Sequence, residues 1–233
     1  MVSDNINSKP ILFSGEMVRA ILEGRKTQTR RVVKPELVSM WDEPRGGADV
    51  AAGYPWVELD GEKYKAVELC PYGRPGGLLW VRETWAMFEE HYIYEYGWEP
   101  EGIVELASYK DSPTNTTRQR YDVVYRADGY EADLSAGEKW CPSIFMPRWA
   151  SRITLRVTDV RVERVQDISA DDARDEGVCL DTWKLHQSHD GTISMSLAAV
   201  QEFRSLWDSI NAKRGFGWDV NPWVWVVEFE VAK

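Results

Sequence analysis

The chain has 233 residues, 43% of them hydrophobic, and a formal charge of -10. That length fits one domain, or one domain with elaborations, and holds enough apolar residues for a substantial core. The acidic balance speaks against a uniformly basic face that grips long polyanions by counterion release, and the absence of any long apolar run speaks against a membrane span.

The N-terminal stretch MVSDNINSKP has no signal-peptide pattern. The three cysteines, Cys70, Cys141 and Cys179, are odd in number and widely spaced, which suits a reducing compartment rather than a disulfide framework. A cytoplasmic protein without membrane contact is expected. Twelve tryptophans are many for this length; some must be core, and others are candidates for platforms that stack flat ligands.

Charge is unevenly spread. Residues 9–35 hold seven Lys or Arg against two acids, and residues 146–165 hold five Arg against two acids. Two positive islands in a negative chain point to a focused site for a small anionic or nucleotide-like ligand. The first island centres on ILEGRKTQTRRVVKP (21–35), where Arg25, Lys26, Arg30, Arg31 and Lys34 stand beside the hydroxyls of Thr27 and Thr29.

In chain order, ILF (11–13) reads as a short strand. Ser14 is a helix N-cap, Met17, Val18, Ile21 and Leu22 repeat at helical spacing, and Gly24 is a C′ residue. The spacing predicts a helix over 15–23. Lys26 to Gln28 is expected as loop, with a strand from about Thr29. YPWVELDGEKYKAVEL reads as a hairpin turned at Asp60-Gly61, since both central positions of a type I′ turn need positive φ.

GGLLWVRETW (76–85) reads as a buried strand. Residues 86–122 show no sustained period, and YDVVYRADG (121–129) reads as another strand. In SRITLRVTDVRVERVQDI the residues Ile153, Leu155 and Val157 alternate, then Val160 and Val162 continue out of phase, which predicts a bulge near Thr158-Asp159.

Ser169 with Asp172 three residues later forms a capping-box start for a short helix closed by Gly177. A third helix begins at Ser194 or Ser196, with Val200, Phe203, Leu206, Trp207 and Ile210 as its apolar stripe. In NPWVWVVEFEVA both faces are apolar at first, and Glu228 and Glu230 later turn one face polar. Strands outnumber helices without β-α alternation, so an α+β fold around a small, mostly antiparallel barrel with short flanking helices is expected.

Several motifs carry chemistry and also have plain structural readings. Arg82 and Glu83 precede Trp85, which would stack on a base while Glu83 accepts from an exocyclic amine; the other reading is a salt bridge beside a core tryptophan. Arg148 and Trp149 read either as a phosphate and ring contact or as the anchor of a strand start. His186 and His189 have ligand-like spacing or are solvated loop residues; no metal and no cofactor is expected. HYIYEYGW (91–98) reads as a lid or partner surface.

The segments ILEGRKTQTRR, LLWVRETW, ITLRVTDVRVERVQDIS, DARDEGV and WVWVVEFE together resemble the ASCH-domain family of PUA-like β-barrels. The likeness runs from about residue 9 to 231 and is strongest to phage and prophage members. It implies a single domain over 1–233 with insertions near 39–75 and 86–140. One branch of that family comprises small bacterial amidohydrolases acting on N4-acetylcytidine. Carried over by position, their catalytic trio falls on Lys26, Thr29 and Glu176, with Arg25, Arg30 and Arg31 as neighbouring substrate-binding candidates.

Amide hydrolysis needs a nucleophile, a base for its proton and groups that hold the oxyanion. Lys26 serves as base only if its pKa falls towards neutrality. Neighbouring cations push it down, whereas the helix C-terminus and Glu176 hold it charged. Three functions follow: a hydrolase of an N-acylated or otherwise modified pyrimidine nucleoside, a non-catalytic reader of single-stranded RNA or a modified base, and a ribonuclease.

Overall fold

A computed structural model describes residues 8–41, 55–89, 121–129, 139–178 and 195–232. The chain is α+β. Among the described residues nine strands run in order β1 (Lys9–Leu12), β2 (Gln28–Val32), β3 (Trp56–Leu59), β4 (Glu62–Lys65), β5 (Leu78–Arg82), β6 (Trp85–Glu89), β7 (Tyr121–Tyr125), β8 (Thr154–Arg164) and β9 (Trp223–Val231). The helices among the described residues are α1 (Gly15–Leu22), α2 (Pro35–Val38), α3 (Ala170–Asp175) and α4 (Met195–Asn211), with several short 3-10 turns. Among the described residues no helix is long and apolar enough to cross a membrane.

Five strands form one sheet in the order β1-β5-β8-β9-β2, and β3-β4 and β6-β7 form two separate ribbons. The β2–β9, β8–β9, β3–β4 and β6–β7 pairings are antiparallel. The sheet has β1 and β2 as its ends, so closure into a barrel is not among the described pairings. The chain divides into two compact units, one of Met1–Lys9, Ala20–Leu79 and Leu155–Lys233, the other of Pro10–Arg19 and Trp80–Thr154.

In the first unit, β9 pairs with β8 on one side and β2 on the other, which explains its apolar start. Val224, Trp225, Val226 and Val227 are all buried, Phe229 remains buried, and Glu230 is exposed. Val224 and Val226 pack with Val165, Ile168, Ala173 of α3, and Ala199, Phe203 and Trp207 of α4. The apolar stripe of α4 is narrower than its sequence suggests. Phe203 and Trp207 are buried, but Ile210 is 41% exposed, and Ala198 and Ala199 face inward instead. Small residues on that face allow the helix to approach the sheet closely.

Three local expectations are met in detail. Asp60 and Gly61 have φ of 53° and 79°, so the β3–β4 turn uses the two left-handed positions that Asp-Gly favours. β8 pairs Val157 with Phe229 and Asp159 with Glu228, leaving Thr158 as the extra residue of a bulge. The helix α3 starts at Ser169, whose hydroxyl accepts from the Asp172 amide at 3.0 Å while Asp172 accepts from the Ser169 amide at 3.3 Å.

In the second unit, Trp85, Tyr125, Met146 and Ala150 form a core, with Val123 and Cys141 packed on it. The Tyr125 hydroxyl donates to the Ala150 carbonyl at 2.8 Å. Residues 85–89 pair with 121–125 in register from Trp85↔Tyr125 to Glu89↔Tyr121. The sequence after Trp85 reads as irregular because this partner strand lies more than thirty residues away, and local periodicity carries no trace of so distant a pairing. HYIYEYGW, His91, Cys179, His186, His189, Ser194, and most of the expected insertion at 86–140, fall outside the described residues.

Candidate functional site

The basic turn follows α1. Ser14 accepts from the Met17 amide at 3.4 Å at the helix start, and Gly24, at φ 72°, ends it. The Arg25 and Lys26 amides both return to the Ala20 carbonyl, at 2.8 and 3.0 Å. This tight reversal turns Lys26 inward. Lys26 makes an isolated antiparallel bridge with Glu176, and the Thr27 amide donates to the Asp175 carbonyl at 2.8 Å. The end of α3 is thereby fastened to the turn by backbone bonds. Gly177 is the second requirement of this contact. Its φ is 83°, and a Cβ there would come within 2.9 Å of both Ala20 Cβ and Lys26 Cβ.

Lys26 Nζ donates to Glu176 Oε2 at 2.7 Å and to the Glu176 carbonyl at 2.8 Å. The side chains of the pair are 0% and 4% exposed. Arg30 Nη1 donates to the other oxygen, Glu176 Oε1, at 3.3 Å. Arg30 also pairs with Glu163 at 3.1 Å and Asp172 at 3.4 Å, and its side chain has no exposed surface.

The Glu163 and Asp172 carboxylates are in turn held by Arg161, at 2.5 and 2.8 Å, and Arg161 also bonds Glu228. Gln28 donates to Asp172 Oδ1 at 2.9 Å and accepts from Arg161 at 3.2 Å. Gln28, Lys26 and Arg30 from the turn and β2, Arg161 and Glu163 from β8, Glu228 from β9, and Asp172 and Glu176 from α3 form one connected polar network. A charge buried in protein demands such partners, because the cost of removing it from water is otherwise several kcal/mol.

Burial lowers the Lys26 pKa from 10.5. Glu176 opposes this by its charge and its hydrogen bond, while Arg31 and Arg30 add to the lowering. Of the opposing influences seen in the sequence, Glu176 and the neighbouring arginines are present, and burial, which sequence alone does not quantify, is the largest. Burial also lowers Arg31, opposed by Tyr72 and Glu176. For Asp172, burial raises the carboxyl, but hydrogen bonds from Gln28 and Ser169 and the Arg30 charge together hold it at about 2.

Of the trio, Lys26 and Glu176 meet directly. Thr29 is buried in β2 opposite Val227. Side chains alternate along a strand, so Thr29 shares a face with Arg31, opposite the face on which Gln28 and Arg30 reach Asp172. The turn cations Lys26 and Arg30 point inward, and Arg25 pairs with Glu23 and donates to the Gly177 carbonyl at 3.2 Å. Asp172, Glu163, Arg161 and Gln28 were not singled out as site residues in the sequence, where Asp172 reads only as a capping residue. The signal for Arg161 and Glu163 is the run of charges on the polar face of 156–164, and which charge meets which depends on the register of β8, β9 and β2.

The remaining candidates lie in the second unit. Arg152 holds both Glu83 oxygens at 3.0 Å and both Asp128 oxygens at 2.8 Å, and its guanidinium lies 4.0 Å from the Tyr125 ring centre. Burial raises the Glu83 pKa, against the pull of Arg152. Arg82 and Arg148 lie over the Trp80 ring at 4.6 and 5.8 Å. Trp85 meets Trp149 edge to face at 5.9 Å.

Compared with protein-family models, curated proteins and solved structures, the chain matches none.

Proposed function

We propose that the protein is a hydrolase acting on an N-acylated pyrimidine nucleoside of the N4-acetylcytidine type, built on a PUA-like variant of the α+β fold. The observation that carries this reading is the buried Lys26–Glu176 pair, joined at 2.7 Å across 150 residues of chain. An amine whose pKa burial lowers gives up its proton more readily than a solvated lysine, which suits it to act as a base.

The reading requires the Thr29 hydroxyl, which lies on the other face of β2 from Gln28 and Arg30, to come within reach of Lys26 when substrate binds; it then attacks the acyl carbonyl and gives its proton to the uncharged form of Lys26. That proton passes to N4 of the departing cytidine, and water then cleaves the acyl-threonine to release the carboxylic acid. Glu176 holds the amine in place through Nζ, and Arg30 holds Glu176. The amine has no exposed surface in this conformation, so the reading demands that substrate open a path to it.

The inward direction of Lys26 and Arg30 removes two of the five turn cations from any phosphate grip. This favours the hydrolase over a reader of RNA that uses the turn as its anion site. The test is chromatography of N4-acetylcytidine incubated with the full chain. Cytidine and acetate are the expected products, lost in T29V and K26M and retained in T29S, with circular dichroism confirming that each variant folds. Folded wild-type protein that turns over no acylated nucleoside refutes the proposal; cleaved RNA in a parallel incubation would assign a ribonuclease instead.

A further inference from the structure

Each oxygen of the Glu176 carboxylate has its own cation. Oε2 accepts from Lys26 Nζ at 2.7 Å, and Oε1 accepts from Arg30 Nη1 at 3.3 Å. A lysine alone against one buried carboxylate would hold its proton tightly, because an opposite charge at contact distance favours the charged form. A second cation on the same carboxylate draws on that charge and weakens its hold.

Four elements meet at Arg30. It stands on β2, and its guanidinium reaches Glu163 of β8 at 3.1 Å, Asp172 of α3 at 3.4 Å and Glu176, just after α3, at 3.3 Å. Asp172 and Glu176 are four residues apart and share one side of the helix, so a single guanidinium spans that turn. The buried Phe203 of α4 closes the group in, with its ring centre 5.8 Å from the guanidinium carbon. Arg161 also holds Glu163 and Asp172. Those two carboxylates are therefore shared, and Arg30 keeps charge to direct at Glu176. The charged groups that act on Lys26 are Glu176 from the end of α3 and Arg31 and Arg30 from β2. Arg25, its neighbour in the turn, pairs with Glu23.

We infer that Arg30 is a positioning residue that sets how tightly Lys26 holds its proton, acting through the carboxylate the two cations share. Glu163 adjusts the effect from β8 by neutralising part of the Arg30 charge. Loss of the Arg30 charge returns the whole of Glu176 to Lys26 and ends a repulsion, so Lys26 holds its proton more tightly. Loss of the Glu163 charge leaves Arg30 less neutralised, so Lys26 holds its proton less tightly. The inference rests on the function proposed above for the use made of Lys26, but its test is read without turnover.

The experiment is an NMR titration of the Lys26 amine in the full chain with isotope-labelled lysine, the signal identified by its loss in K26R. Exchange protection of the Thr27 amide, which bonds the Asp175 carbonyl, reports that α3 stays docked in each variant. R30Q raises the Lys26 midpoint above that of wild type, and R30K returns it towards wild type. E163Q lowers the midpoint, and that lowering disappears when R30Q is also present, because its route through Arg30 is gone. Looser packing would admit water and raise the midpoint in every variant. The fall in E163Q is therefore the reading that a purely structural arginine does not give.

A midpoint that R30Q leaves in place or lowers, an R30K midpoint equal to that of R30Q, or an E163Q effect undiminished by R30Q overturns the inference. If R30Q does not fold, E163Q decides alone: a lowered midpoint supports the inference, and one unchanged or raised overturns it. In the hydrolase the acid limb of kcat/KM moves with the midpoint. Midpoints that move as stated without nucleoside turnover leave this inference standing and remove the hydrolase, and turnover with midpoints that do not move does the reverse.

Discussion

Replacing Glu176 by Gln isolates the contribution of the buried pair. The substitution keeps the size of the side chain and removes the charge that faces Lys26 Nζ at 2.7 Å and Arg30 Nη1 at 3.3 Å. Arg30 retains Glu163 and Asp172, but Lys26 keeps only neutral acceptors at this position. Removing one partner of a buried pair costs about 3–5 kcal/mol, and the retained amide oxygen places E176Q near the low end, about 3 kcal/mol where Lys26 is charged. At about 2–4 °C per kcal/mol for a chain of this size, the melting temperature falls by roughly 6–12 °C.

The sign of the pH dependence follows from Lys26. Its folded pKa already lies below the unfolded value of 10.5, and Glu176 opposes the lowering, so its loss lowers the pKa further. Between the folded and unfolded values the unfolded chain binds more protons, and stability rises with pH. The deficit of E176Q is therefore full where Lys26 is charged in both folded proteins, narrows as pH rises from the folded pKa of the variant to that of the wild type, both below 10.5, and is constant above them. Urea denaturation of both proteins from acid pH up to 10.5 measures it. A deficit that is absent, or that stays constant with pH, refutes the assignment of Lys26 and Glu176 as an interacting buried pair.

Acid titration tests Asp172. Its folded pKa of about 2 lies below the unfolded 3.8, so its contribution, on the order of 2 kcal/mol, is complete above that unfolded value and disappears as pH falls to about 2. D172N lacks this acid-labile component, which parallel urea midpoints would show. Gly177→Ala places a Cβ against Ala20 and Lys26 at positive φ and lowers stability by about 1–3 kcal/mol, read as a shifted urea midpoint. Tyr125→Phe leaves the Ala150 carbonyl without its 2.8 Å donor and costs about 1–3 kcal/mol. The same phenol, raised mainly by burial, ionises at about 12 in the intact protein, visible by ultraviolet titration.

Features with a local cause were legible in the sequence. Ser14, Gly24, the Ser169–Asp172 box and Gly177 mark helix ends because capping needs only residues within one turn. Asp60-Gly61 marks its hairpin for the same reason, and the phase slip in 153–162 locates the bulge. The convergence of Lys26 with Glu176 came from resemblance, not from periodicity, since a contact across 150 residues has no local signature. Charges were visible, but their partners were not. Arg30 read as a substrate cation and is instead enclosed by three carboxylates. Glu83 read as a base contact or a salt bridge, and both of its oxygens face Arg152. The β6–β7 ribbon and the exposure of Ile210 were hidden likewise, because both depend on what packs alongside.

The bulge at Thr158 has a consequence for how this protein tolerates change. Upstream of it the buried positions of β8 are odd-numbered, Leu155 and Val157; beyond it burial passes to the even-numbered Val160. Because Thr158 has no partner on β9, excising it would leave each later residue of the strand opposite its present neighbour and would restore plain alternation. Arg161 would keep both Glu228 and Asp172. Deleting this one small, exposed side chain is thus expected to be tolerated, whereas deleting a paired neighbour such as Val160 would shift the rest of the strand.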